Sequence, residues 1–144
     1  MDSIYLVCRD AREDSLLGNI ALGMEMKNAG EDVTVVFTAE SLKALTGKEV
    51  RSWPPLLRNR LVQVAIAKAG TALGYDLTAD FDKRWLETDK FIKSAVDNGL
   101  NMVACPIWTQ LLGIGDELPE YLTRPDMAAY TKNLKEARQI IGGF

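Results

Sequence analysis

The sequence contains no histidine, and that absence removes the Ser-His and Cys-His dyads, the commonest general base and the commonest metal ligand together. Cysteine is nearly as scarce. Two thiols, Cys8 and Cys105, are too few for the disulfide frameworks that small secreted domains use. With no histidine beside them they also make a metal site improbable. Both are expected to be free thiols in a reducing compartment. There is no basic excess: 17 Lys and Arg stand against 20 Asp and Glu, for a net charge of -3 and a pI near 5.0. No basic field therefore exists to hold a phosphate backbone or an anionic bilayer, and nucleic acid is not an expected partner. Long apolar runs are missing as well, none approaching the roughly 20 residues of a membrane span, so no membrane span is expected. The opening MDSIYLVCRD places Asp2 where a secretory signal would carry positive charge. The expected location is cytoplasmic.

The chain has 144 residues, 47% of them apolar, enough to enclose one core, and residues 1–144 read as a single domain. SIYLVC is a short run of strand formers. After it, REDSLLGNIALGMEMKNAG shows Leu17, Ile20, Leu22, Met24 and Met26 at helical spacing, with Gly30 as a C-cap, and EDVTVVFT is a second β-branched run. Strand, helix, strand is the unit that builds a parallel sheet. AESLKALTG reads as a short helix closed by Gly47, followed by the polar turn KEVRS.

The organisation then changes. WPPLLRNRLVQVAIAKAGTALG reads as an amphipathic helix with Leu57, Leu61, Val64 and Ala65 on its apolar face. YDLTAD is a short strand or a turn. FDKRWLETDKFIKSAVDNG reads as a helix offering Phe81, Trp85, Phe91, Ile92 and Val96 for burial and ending at Gly99. LNMVAC is the clearest later strand, PIWTQLLGIG a short helix, EYLTR a brief strand, PDMAAYTKNLKEARQ a helix with Pro125 near its start, and IIGGF an edge strand. There is no repeat, linker or low-complexity segment.

This alternation predicts an α/β layered domain, with helices on both faces of a mostly parallel sheet. In such sheets ligands bind outside the carboxyl ends of the strands, where both cysteines fall. Cys105 stands between a strand and Pro106, at the N-cap of the next helix. Unsatisfied N–H groups and the positive end of the helix dipole there favour a sulfur anion, the nucleophilic form of the thiol. The backbone donors of Ile107 and Trp108 would hold that charge, and Trp108 would wall the pocket. Free cysteine is also among the most buried residue types, so reaction and packing stay open as readings of Cys105. Cys8 precedes the charged loop RDARED, whose Arg9 and Arg12 are the cations nearest to either thiol in sequence, and one of them would help hold the sulfur anion, although a charged loop is usually only solvated. It is a candidate second thiol, although a cysteine ending a first strand is most often core. LLGNIALG is not a dinucleotide fingerprint, because its glycines fall inside the helix. Trp53 and Trp85 read as core or interface residues, and Asp116 and Glu117 as surface carboxylates.

Three stretches together, IYLVCRDAREDS running into NIALGMEMKNAGEDVTVVFTAESLKAL, then AVDNGLNMVACPIWTQLLGIGDELPEYL, and finally EARQIIGGF, resemble the DsrE-like family of small sulfur-relay proteins. That family includes DsrE and TusD type subunits and YchN-like proteins. The likeness covers residues 3–46 and 90–144. It implies a flavodoxin-like fold, homo- or hetero-oligomers such as trimers and hexamers, protein partners that donate and accept sulfur, and a cysteine that carries sulfur as a persulfide. The matching cysteine is Cys105, in VACPIW. Cys8 lies outside the pattern. Residues from about 50 to 88 depart from the family core by being long and helical, an insertion expected to cap the sheet edge or form a subunit interface.

Two functions from different classes follow. In the first, Cys105 accepts sulfane sulfur and passes it on; thiolate attack on a sulfur–sulfur bond needs neither a histidine base nor a cofactor. The second is a non-catalytic oligomeric binding or regulatory module with packed cysteines and the insertion as interface. Two-cysteine redox chemistry, requiring Cα atoms within about 7 Å, ranks last.

Overall fold

A computed structural model describes residues 2–142. The chain runs β1 (Ser3–Cys8), α1 (Glu13–Asn28), β2 (Asp32–Phe37), α2 (Glu40–Ala44), α3 (Arg60–Ala72), α4 (Thr88–Asp97), β3 (Asn101–Ala104), α5 (Pro106–Leu111), α6 (Met127–Glu136) and β4 (Gln139–Gly142). The four strands form one sheet in the order β3-β2-β1-β4, and every pairing is parallel. The α/β layered fold read from the sequence is present. Of the expected edge strand IIGGF, Gly143 and Phe144 lie outside the described residues.

Side chains of a strand alternate between the two faces of a sheet, and here the faces are unequally covered. Ile4, Leu6, Cys8, Val33, Val35, Phe37, Met102 and Ala104 point to the first face and pack with Leu16 and Ile20 of α1 and Phe91, Ile92 and Ala95 of α4. Tyr5, Val36, Val103 and Cys105 form a smaller cluster on the second face with Tyr130, backed by Leu134 of α6. The cause is topological. Steps from β1 to β2 and from β2 to β3 move one way across the sheet, so right-handed crossovers put their helices on one face. The return from β3 to β4 at the far edge runs the other way and lands on the opposite face.

Local signals fix the helix starts. Asn59 caps α3 by accepting from the Val62 N–H (3.0 Å), and Asp126 caps α6 by accepting from the Ala129 N–H (2.7 Å). Glu13 and Asp14 place negative charge in the first turn of α1. The loop before α3 is fastened by Arg51, which pairs with Glu13 and, at 2.6 Å, with Asp89, joining the starts of α1 and α4.

The insertion differs from expectation. Its helix begins at Arg60, with Pro55–Leu57 forming a single 3-10 turn. Its contact face is Ala67 and Gly70, the only buried residues of α3, and Leu61 is 85% exposed. A β-carbon at Gly70 would stand 2.6 Å from Cδ2 of Leu77, so close approach of the backbone replaces the leucine stripe as the docking surface. Residues 81–87 are not helical: an antiparallel bridge joins Thr78 to Leu86, α4 starts at Thr88, and Phe81 is exposed. Trp85 stacks under the Arg60 guanidinium, 3.9 Å from ring centroid to carbon. EYLTR contributes one bridge, Thr123 beside Val103 on the outer side of β3.

Two glycines of α1 give a stability test. Nothing lies within 4 Å of a β-carbon at Gly18, whereas one at Gly23 would sit 2.9 Å from Cγ2 of Val35. Gly18→Ala is expected to raise unfolding free energy by about 0.5–1 kcal/mol through helix propensity. Gly23→Ala is expected to lower it by about 1–3 kcal/mol through overpacking. Urea denaturation of the two variants beside the parent checks both signs.

Candidate functional site

β2 feeds a helix on the first face and β3 feeds α5, which leads to α6 on the second. The chain therefore diverges between the carboxyl ends of these neighbouring strands, and a crevice opens there, the position at which open α/β sheets bind ligands. Thr38 and Ala39 form one wall and Cys105 begins the other. The Cys105 N–H donates to the Phe37 carbonyl at 3.0 Å, extending the β2–β3 ladder one step past the strand. Cys105 is the N-cap of α5 and Pro106 is its first residue, as expected. The thiol does not cap the helix N–H groups of Ile107 or Trp108; no side-chain cap bond forms.

The sulfur lies instead under α6. Cys105 is 3% exposed, enclosed by Tyr5, Val36, Val103 and Tyr130. Burial, and next the hydrogen bond to Cys105, push the Tyr130 phenol well above its ordinary pKa. Tyr130 was not singled out from the sequence. Its only trace there is the apolar spacing Tyr130, Leu134, Ala137 along α6, which reads as packing. Tyr5 is raised as well, mainly by burial.

Cys8 ends β1 on the other face, wholly buried, its Sγ 3.9 Å from the carbonyl oxygens of Asp10 and Ser15. Burial pushes this thiol up to about 12, with the Ser41 hydrogen bond opposing. Such a thiol is inert at neutral pH. β2 lies between the strands that carry the two cysteines, a separation of about 10 Å at ordinary strand spacing. Disulfide geometry needs Cα atoms within about 7 Å, so direct pairing would require the sheet to rearrange.

Ser41 organises the same edge and was also missed. Its buried hydroxyl lies 2.6 Å from the Cys8 carbonyl and 2.9 Å from that of Thr38, and accepts from the Thr38 N–H, while its own N–H donates to the Arg9 carbonyl. One short side chain thus ties the end of β1 to the turn after β2. In that turn Ala39 takes φ 55° and ψ -129°, a conformation close to glycine-only.

The turn, the residues after β1 and the exposed side of α5 enclose a cleft of about 480 Å³, lined by Arg9, Asp10, Glu40, Lys43, Trp108 and Leu112, with Ala39 among them. Arg9 and Trp108 are thus brought together. Arg12 is not: it is the exposed N-cap residue of α1 and does not line the cleft. Pro106 is buried, and Ile107 points outward. Among the described residues no group of three or more Cys, Asp or Glu is placed to hold a metal ion, and no helix is long and apolar enough to cross a membrane.

The Cys8 environment sets a pH dependence. A thiol with its folded pKa raised from about 9 to about 12 contributes stability that is complete below pH 9 and lost as pH rises toward 12, because only the unfolded chain ionises in that window. The slope is about 1.4 kcal/mol per pH unit. Unfolding free energies between pH 8 and 11 should fall less steeply in Cys8→Ala than in the parent; equal slopes would contradict the assignment.

No protein-family profile matches the chain, and no curated protein matches it. Among solved structures it is similar to a conserved protein of unknown function, BT1422 from Bacteroides thetaiotaomicron, at 14% identity over 99% of this chain and 95% of that one, with a TM-score of 0.54. At that identity the likeness shows a shared fold and nothing about activity.

Proposed function

We propose that the protein is a sulfur carrier that holds sulfane sulfur as a persulfide on Cys105. The observation that carries this reading is the placement of Cys105 at the switch point of a parallel sheet, at the head of α5, in a small cluster closed by Tyr130 of α6. In the transfer, the Cys105 thiolate attacks the outer sulfur of a donor persulfide, forming a new S–S bond as the donor's own S–S bond breaks. The electron pair leaves with the donor as its thiolate, the proton stays on the transferred sulfur, and nothing is oxidised or reduced overall. The reverse exchange hands the sulfur to an acceptor protein.

Access requires α6 to move. Tyr130 is the only buried residue of this ten-residue helix, so an opening that lifts it uncovers only the small cluster of Tyr5, Val36, Val103 and Cys105 and leaves the larger core on the other face intact. The resemblance to the DsrE-like family adds a homo-oligomer to this reading, and the cytoplasmic location expected from the sequence adds a reducing setting.

A second reading, an oligomeric binding module with packed cysteines, draws on different residues. Leu56, Leu61, Leu73 and Phe81 in the insertion all face solvent, more apolar surface than one short segment ordinarily leaves uncovered.

Intact mass after mixing the reduced protein with a low-molecular-weight persulfide, and separately with a persulfidated protein, tests the first reading. The parent and Cys8→Ser are expected to gain one sulfur atom and Cys105→Ser none. Equal gain in Cys105→Ser, or no gain in the parent from either donor, would overturn it.

A further inference from the structure

The cleft beside Cys105 carries more information than the thiol alone. Its volume of about 480 Å³ lies within the range of small-molecule sites, about 300–1,000 Å³. Its walls carry two charges of each sign, Arg9 and Lys43 against Asp10 and Glu40, together with the apolar surfaces of Trp108 and Leu112.

The Arg9 guanidinium makes no ion pair or hydrogen bond with the described residues. A free guanidinium is a planar fork that matches a carboxylate in two parallel hydrogen bonds. Lys43 has only a 3.7 Å contact with Glu49, both side chains about half exposed, which holds it weakly. A ligand carrying only negative charge would meet Asp10 and Glu40 as well as the cations. A ligand with an anion and a cation side by side meets complementary charge on every polar wall.

We infer that this cleft binds a low-molecular-weight thiol or persulfide with an α-amino-acid head, its carboxylate on Arg9 and Lys43, its ammonium at Asp10 and Glu40, and its sulfur-bearing arm along Trp108. The sulfur on the ligand rests on the carrier reading of Cys105; the charge pattern does not. Cys105 heads the helix that supplies both Trp108 and Leu112, and its N–H is bonded to Phe37, two residues before Ala39 of the cleft. A ligand lying along Trp108 points its sulfur toward the head of α5, where Cys105 is the N-cap.

The test is isothermal titration calorimetry with S-methylglutathione, whose γ-glutamyl end is an α-amino acid and whose blocked sulfur cannot be transferred. It is run on full-length parent, Cys105→Ser, Arg9→Gln and Asp10→Asn. Arg9 and Asp10 are exposed, so their variants keep the fold. Saturable binding is expected in the parent and equally in Cys105→Ser, weakened roughly tenfold or more in each charge variant, the loss expected for one charged hydrogen-bonding partner. Absence of saturable binding to the parent, or unchanged affinity in both charge variants, overturns the inference. Binding in Cys105→Ser beside a parent that never gains sulfur would leave the amino-acid site standing and remove the carrier reading. Sulfur gain without S-methylglutathione binding would do the reverse.

Discussion

The architecture depends on one chiral constraint, the right-handedness of crossovers between parallel strands. The sheet order β3-β2-β1-β4 makes the chain step outward twice and then return across the full sheet. The return forces α5 and α6 onto the face opposite α1 and α4. From that reversal come the crevice between the ends of β2 and β3, the position of Cys105 at its rim and the delivery of Tyr130 over the sulfur. Had β4 joined beyond β3, the connection would have continued on the first face and left Cys105 uncovered.

The same geometry separates two thiols that look equivalent in the sequence. Both end or follow a strand at the carboxyl edge, yet side-chain alternation sends Cys8 into the larger cluster and Cys105 into the smaller one. Around Cys8 burial penalises an anion and outweighs the Ser41 hydroxyl beside it. Cys105 packs in a smaller cluster closed by Tyr130 of α6. Burial alone does not distinguish a structural cysteine from a reactive one; the size of the cover that must move does.

Much of this was legible in the sequence, because β-branched runs, capping residues and a proline after Cys105 are local signals. Those signals set the first two strands, α1, and Cys105 as the N-cap of α5. Non-local decisions were not legible. The leucines of the insertion have helical spacing, but docking was decided by Gly70 fitting against Leu77, a contact between segments that periodicity does not encode. Residues Phe81–Glu87 failed as helix because the bridge from Thr78 to Leu86 claimed their backbone. Tyr130 and Ser41 sit within segments that read as ordinary helices, since their importance lies in partners 25 and 33 positions away, Cys105 and Cys8.

The central claim is that Cys105 is reached by local opening of α6 while Cys8 is structural. Native-state alkylation, quantified for each cysteine by peptide mass across a series of low urea concentrations, tests it most directly. The account predicts that Cys105 labels in the folded protein at a rate nearly independent of urea, while Cys8 labels only at the rate of global unfolding. If both cysteines label together, with the same steep urea dependence, Cys105 is a packed core residue and the carrier account is wrong.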